Sequence, residues 1–276
     1  MKNLSILIAL SILFGADDKA PSQRARDRDV DIHHIKIDVT VDLEEKSVSG
    51  NVTHTLSAFN SSLSEFELDA EDMEIHRVIL DGKDISYNHH GEKVFLSLNK
   101  PIGWDDTVKV RLDYTAYPRR GTFFIAPDSV YPEKPWQAWT QGEDTDNHHW
   151  VPIYDYPNDK ATFETILTVD KKFLAISNGE LVSLKENKDG THTWHWHEHF
   201  PMVSYLISYV IGEFEKVEDS YNGIPVNYWV YDENKKEALR SFGLTPDMMK
   251  YFGEVTGVEY PYEKYDQIII DDFMFG

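Results

Sequence analysis

Amide, carboxylate and indole groups crowd one stretch, residues 136–163 (WQAWTQGEDTDNHHWVPIYDYPNDKATF). Gln141 and Glu143 lie in it with Asp144, Asp146, Asp155 and Asp159, among Trp136, Trp139 and Trp150. Long ordered segments that mix aromatic and polar groups are where binding residues tend to lie. A carboxylate beside an amide can hold an ammonium group, such as a peptide's amino terminus, through charge-assisted hydrogen bonds. The same residues also suit an acidic surface loop pinned by its aromatics, and spacing alone favours that plainer reading.

Histidine forms a second cluster. His192, His195, His197 and His199 fall within THTWHWHEHF. At strand spacing His195, His197 and His199 share one face, and Trp194 and Trp196 the other. Such a face can bind zinc or copper. With no carboxylate framework evident nearby, a buried Trp face and a wet His face is the simpler expectation. The pairs His33-His34, His89-His90 and His148-His149 are weaker candidates, because neighbours on a strand point to opposite faces.

Several machineries are missing from the sequence. His-Glu-x-x-His needs two imidazoles one helical turn apart with a glutamate as base, and His197-Glu198-His199 has the wrong spacing. No Gly-x-Ser-x-Gly, Walker loop or Gly-x-Gly-x-x-Gly occurs. Without cysteine there is no thiol nucleophile, no Cys-zinc site and no disulfide. The balance of 27 basic against 48 acidic residues, net −21, argues against nucleic acid and anionic lipid as partners. Most of that charge reads as solvated surface, with a negative field toward cationic amines as a second use.

The elements that must position these groups are mostly strands. Ile35, Ile37, Val39, Val41 and Leu43 alternate with polar residues, the period of a half-buried strand. Val48–Leu56 returns after a turn at 44–47. Further strand signals follow around Phe66 and Leu68, Ile79–Ile85 with a hairpin at Asp81-Gly82, Val94–Leu98 and Val108–Tyr114. Ala161–Val169, His192–His199 and Val203–Ile211 continue the pattern, and the expectation is an antiparallel β domain. After about residue 215 it changes to a strand at Val226–Tyr231 and then helix. Thr245-Pro246 predicts a helix start, running to Val255 and stopping at Gly257. Ile268–Ile270 reads as a buried strand followed by Phe273-Met274-Phe275. A chain stopping on exposed apolar residues reads as truncated, an almost complete first domain with the opening of a second.

At the other end Lys2 precedes an apolar run, Leu4–Leu13, too short to span a bilayer, then small residues Gly15-Ala16. This is a secretory signal-peptide pattern over 1–16 and predicts a secreted or periplasmic protein with no stable membrane span after cleavage. Residues 17–28 read as a linker. The expected domains are 29–216, all β, and 217–276.

Thr140-Gln141-x-Glu143, followed by Pro152-x-x-Asp155-x-Pro157-x-x-Lys160-Ala161-Thr162-Phe163, resembles the aminopeptidase N family of zinc metallopeptidases, which includes the leukotriene hydrolase type. Asp31–His34 with Ser49-Gly50, Pro201-Met202, Ser204–Leu206, Gly212-x-Phe214 and Tyr260–Asp266 resemble the same family in order. The resemblance implies a saddle-like antiparallel β-sandwich domain followed by the start of an α+β thermolysin-like catalytic domain. It implies that Gln141 lines the first substrate pocket, Glu143 grips the free α-amine, and Gly276 opens a Gly-x-Met-Glu-Asn motif that places backbone along the peptide. It further implies peptide substrates with a free amino terminus and a zinc cofactor whose ligands are not in these residues, so that this chain alone is inactive. His148 stands where relatives commonly carry arginine. Two other readings compete: a non-catalytic interaction module on the same scaffold, and a carbohydrate-binding sandwich using Trp136, Trp139 and Trp150.

Overall fold

The computed structural model describes residues 25–274. The expected signal peptide, residues 17–24 of the expected linker, and Gly276 lie outside the described residues.

The chain begins with a long hairpin, β1 (Val30–Asp42) and β2 (Ser47–Ala58), followed by β3 (Leu63–Asp69) and β4 (Met73–Leu80). Next come β5 (Lys83–Asp84), β6 (Ser86–His90), β7 (Lys93–Ile102) and β8 (Thr107–Ala116). Two short strands, β9 (Thr122–Ile125) and β10 (Gln137–Thr140), lead into the acidic loop, which ends at β11 (Ala161–Asp170). Then follow β12 (Leu174–Ser177), β13 (Glu180–Glu186), β14 (Thr191–Met202) and β15 (Tyr209–Gly212). The last elements are β16 (Glu215–Tyr221), β17 (Ile224–Val230), α1 (Ala238–Phe242), α2 (Thr245–Thr256) and β18 (Tyr265–Ile268).

The strands form a mainly β fold of several sheets. An eight-stranded sheet runs β13-β14-β11-β1-β2-β8-β4-β5, and a four-stranded one β12-β15-β10-β9. The others are β3-β7-β6 and β16-β17-β18. The alternation read in β1 is real: Ile35, Ile37, Val39 and Val41 are buried. A bulge between Ile32 and His34 resets the parity, so Val30 and Ile32 reach the same core despite the odd spacing to Ile35. The fold departs from an all-antiparallel reading at its centre, where β1 and β11 pair in parallel. Parallel neighbours need a long crossover, and more than a hundred residues of chain separate these two.

Three further expectations need correcting. Residues 25–28 are docked rather than linker-like: Arg26 binds Asp69 at 2.5 Å and Glu67 at 2.9 Å, and Arg28 pairs with Asp159. The strand expected over 203–211 is interrupted by a 3-10 turn at Ser204–Leu206 before β15. The buried strand expected at Ile268–Ile270 is β18, short and only half-buried, at the edge of its sheet. Helix α2 begins and ends as the sequence predicts, closed by Gly257 in the left-handed region (φ 70°) that glycine occupies without strain. Sheet membership changes at Glu215, where β16 pairs with β17 and a separate small core forms around Val226, Tyr228, Val230, Ala238 and Met249.

Candidate functional site

Gln141 and Glu143 leave the end of β10 on a loop fixed from below. The Gln141 N–H donates to the Gly121 carbonyl at 2.9 Å, and Thr140 exchanges hydrogen bonds with the backbone of Tyr209. Gly142 lies on the Asn147 side chain so closely that a Cβ there would meet Asn147 Oδ1 at 2.5 Å. Asn147 is fully buried and fully used: its amide donates to the carbonyls of Ser204 at 2.7 Å and Ile207 at 3.0 Å and accepts from the Trp150 indole at 2.8 Å. Glu143 is exposed, its backbone N–H donating to the Gln141 side chain at 3.4 Å. Among the described residues no group is bonded to its carboxylate, so it is free to take a cation.

The far side of β10 is fastened to the chain after β18. The Gln137 amide, buried, donates to the Tyr231 hydroxyl at 2.9 Å and accepts from the Asp271 N–H at 3.0 Å. Tyr231 in turn donates to the Asp271 carboxylate at 3.1 Å. Burial, with the Asp271 charge beside it, raises the Tyr231 pKa well above the ordinary phenol value, so the hydroxyl stays a donor. Trp139 stacks on Phe123 with ring centroids 4.4 Å apart and packs against Phe273 at 5.7 Å. One strand thus carries Gln141 and Glu143 at its end and holds residues 271–273 along its side.

The rest of the loop folds onto the β3–β4 connection. Asp155, its carboxylate buried, accepts from the His148 N–H at 3.0 Å and from Ser204 Oγ at 2.8 Å, and lies 3.0 Å from His148 Nδ1. Burial opposes protonation of His148, yet Asp155, with Asp69 and Glu71 behind it, holds its pKa above the ordinary imidazole value. His149 Nδ1 lies 2.9 Å from Asp72. These two histidines sit in a 3-10 turn, Asn147–His149, with rings 4.6 Å apart and nearly parallel, so the opposite-face argument for a strand does not apply. Beneath them, buried His54 donates from Nε2 to the Pro152 carbonyl at 2.9 Å, and burial pushes its pKa down to about 4.

The histidine strand splits as expected, with Trp194 and Trp196 buried, but a carboxylate framework does exist. Glu164 lies 2.6 Å from His195 Nε2 and 3.1 Å from His34 Nε2, and Glu180 lies 3.0 Å from His199. The neighbour on β1 and β11 was invisible because parallel pairing brings residues 34 and 164 together from far apart in sequence. Trp139 and Trp150 are buried, which removes two of the three stacking surfaces that the carbohydrate reading names, and Trp136 is half-buried. A cleft of about 580 Å³ lined by Glu133, Glu213, Glu215, Glu233 and Asp271 does not include Gln141 or Glu143.

Residues 31–206 match the family model described as the Peptidase M1 N-terminal domain. The chain belongs to the M1 peptidase family. Among curated relatives, Aminopeptidase 2 of Candida albicans is 24% identical over 226 residues, covering 79% of this chain and 24% of that protein. Leukotriene A-4 hydrolase of Xenopus laevis is 23% identical over 270 residues, covering 93% of this chain and 43% of the relative. This M1 chain therefore spans less than half the length of either. A crystal structure of an M1 zinc metallopeptidase mutant from Deinococcus radiodurans, bound to a Tyr-Ser-Ala substrate, superposes with a TM-score of 0.78 at 22% identity. It covers 91% of this chain and 59% of that one, which establishes a common fold.

Within this M1 domain the spacing of residues singles out Gln141 and Glu143 as candidates but not Asn147, His54 or Asp69, which the structure shows buried in the network beneath them. Asn147 had one usable signal, a short polar side chain between Gly142 and Trp150, the kind that closes a turn through its own amide. These 276 residues hold no His-Glu-x-x-His, the pattern that the resemblance gives for the family's zinc.

Proposed function

We propose that this chain is the N-terminal part of a zinc-dependent aminopeptidase exported through its 1–16 leader. In this reading the β domain occupies about 29–216, and residues from 217 onward open the catalytic domain. Its part in the chemistry is to recognise the substrate's amino terminus: Glu143 pairs with the peptide ammonium and Gln141 lines the pocket for the first side chain. Gly276, by resemblance, begins the backbone rail beside the peptide. Zinc, held by residues beyond these, would activate the water that attacks the first peptide bond.

One observation carries the reading. Among the described residues Glu143 presents a carboxylate with no bonded partner, on the loop that leaves the same short strand whose Gln137 and Trp139 fasten Asp271 and Phe273. A charge at a fixed place beside that segment is what counting one residue from an amine requires. In the polypeptide as encoded, Glu143→Ala should lower kcat/KM for aminoacyl amides by about 10- to 100-fold, the effect of losing one hydrogen bond to a charged group. It should also erase the preference for a free over an acetylated amine. Unchanged discrimination in that variant, or a coding sequence without a His-Glu-x-x-His after residue 276, would sink the proposal. The 276-residue chain by itself should turn over no aminoacyl amide.

A further inference from the structure

The turn at Asn147–His149 collects an unusual set of donor atoms. Glu71 Oε2 lies 3.8 Å from His148 Nε2 and 3.8 Å from His149 Nε2. Asp146 Oδ1 lies 3.9 Å from His149 Nε2. These separations are too long for hydrogen bonds. They are near the spacing of ligand atoms around one tetrahedral zinc, about 3.3–3.6 Å for bonds of about 2.0–2.2 Å. The ligand atoms of Glu71, His148 and His149 all fall within 4.8 Å of one another.

The other ring nitrogens are occupied in the way a metal site needs. His148 Nδ1 faces the Asp155 carboxylate at 3.0 Å, and His149 Nδ1 faces Asp72 at 2.9 Å. A carboxylate on Nδ1 fixes the proton there and turns the Nε2 lone pair outward, the usual second layer of a histidine–metal site. Both second-layer carboxylates are themselves held, Asp155 by Ser204 Oγ and Asp72 by Arg119. Stacking of the two rings at 4.6 Å sets their Nε2 atoms side by side. Arg119 binds Glu71 through Oε1 at 3.2 Å, leaving Oε2 for the histidines.

The geometry points to a divalent transition-metal site, best matched by Zn²⁺, built from His148 Nε2, His149 Nε2 and Glu71 Oε2, with solvent as the fourth ligand and Asp146 at its edge. Imidazole and carboxylate together suit zinc and its first-row neighbours. Its consequence is structural. The Glu71 N–H already donates to the His148 carbonyl at 3.0 Å, and a metal would staple the loop that carries Gln141 and Glu143 to the β3–β4 connection. The site rests on contacts separate from those invoked for amine recognition, and it fails or stands independently of that reading.

The test is metal binding by the chelator-stripped chain carrying no histidine tag. Calorimetric titration with Zn²⁺ should give one equivalent at micromolar affinity or tighter, and a higher melting temperature with metal. Co²⁺ should give the visible absorption of a four-coordinate ion. Glu71→Gln, a half-exposed position that keeps its volume, should weaken Zn²⁺ at least tenfold while circular dichroism stays native. His149→Gln should do the same, and Asp72→Asn should weaken it by about 10- to 100-fold. His197→Gln, on the other histidine cluster, should change nothing. Failure of the native chain to bind Zn²⁺ would overturn the site and leave the two histidines as hydrogen-bond partners of the surrounding carboxylates. Binding lost in His197→Gln but kept in Glu71→Gln would overturn it equally.

Discussion

The Trp139 indole N–H donates to the Asp271 carbonyl at 3.2 Å, joining β10 to the segment beyond β18 across 132 residues of chain. With the Gln137–Asp271 bond it forms a two-point clasp, because Gln137 and Trp139 alternate along one short strand. Trp139→Phe keeps the ring stack on Phe123 but loses the donor, and should cost about 1 kcal/mol. Amide exchange of residues 268–272 should speed up while exchange in β1 and β2 does not. Equal change in both regions would mean that the clasp is not local.

Asn147 should prove one of the least replaceable residues in the loop. Asn147→Ala strands the Ile207 carbonyl and the Trp150 indole, both buried, takes one of two donors from the Ser204 carbonyl, and should cost about 3 kcal/mol in urea unfolding. Gly142→Ala drives a methyl against the same amide, which its three bonds prevent from moving. The two changes share one atom pair, so their costs should not add: Gly142→Ala should be milder in the Asn147→Ala background. Strict additivity would rule out the contact as the reason for the glycine.

His54 gives the fold a pH dependence of defined sign. Its pKa falls to about 4 when folded, against about 6.5 when unfolded, so between those values the unfolded chain holds more protons. Its contribution is complete above about pH 6.5 and is lost as pH falls toward 4. The difference of about 2.5 units corresponds to about 3 kcal/mol. Carboxylates lowered by partners, Glu67 and Asp72 among them, add loss in the same direction at lower pH. The comparison with His54→Gln isolates the histidine: the variant should lose less stability than the native chain between pH 6.5 and 4. Parallel curves would show that His54 does not titrate with unfolding.

What was legible in the sequence follows the range of the interactions. Period-two burial in β1, the Asp81-Gly82 hairpin and the Gly257 stop are set by residues a few positions apart, and they appear where the pattern places them. The parallel β1–β11 pair, the Glu164 bridge between His34 and His195, and the burial of Asn147 against Ser204 were not. Each depends on chain returning from far away, for which local spacing holds no signal. His148-His149 departs from expectation for a local reason: the opposite-face rule of a strand does not hold in a 3-10 turn.

Lys264 makes the strongest case for long-range coupling. Its ammonium donates to the Ser177 carbonyl at 2.7 Å in β12, lies 4.5 Å over the Trp196 ring of β14 and pairs with Asp266 of β18, so one charge touches three sheets. Burial pulls its pKa below the ordinary lysine value despite Asp266, which marks the desolvation this pair bears. Breaking such a pair leaves the partner's charge buried, and Lys264→Met should cost about 3 kcal/mol. Asn227 would then be the remaining donor to Asp266, through its side-chain amide at 2.7 Å. Replacing both partners, Lys264→Met with Asp266→Asn, removes the stranded charge and should recover most of that loss. If the double variant is no more stable than Lys264→Met alone, the cost lies in the contacts to Ser177 and Trp196, and the ion pair is incidental to how the sheets are held together.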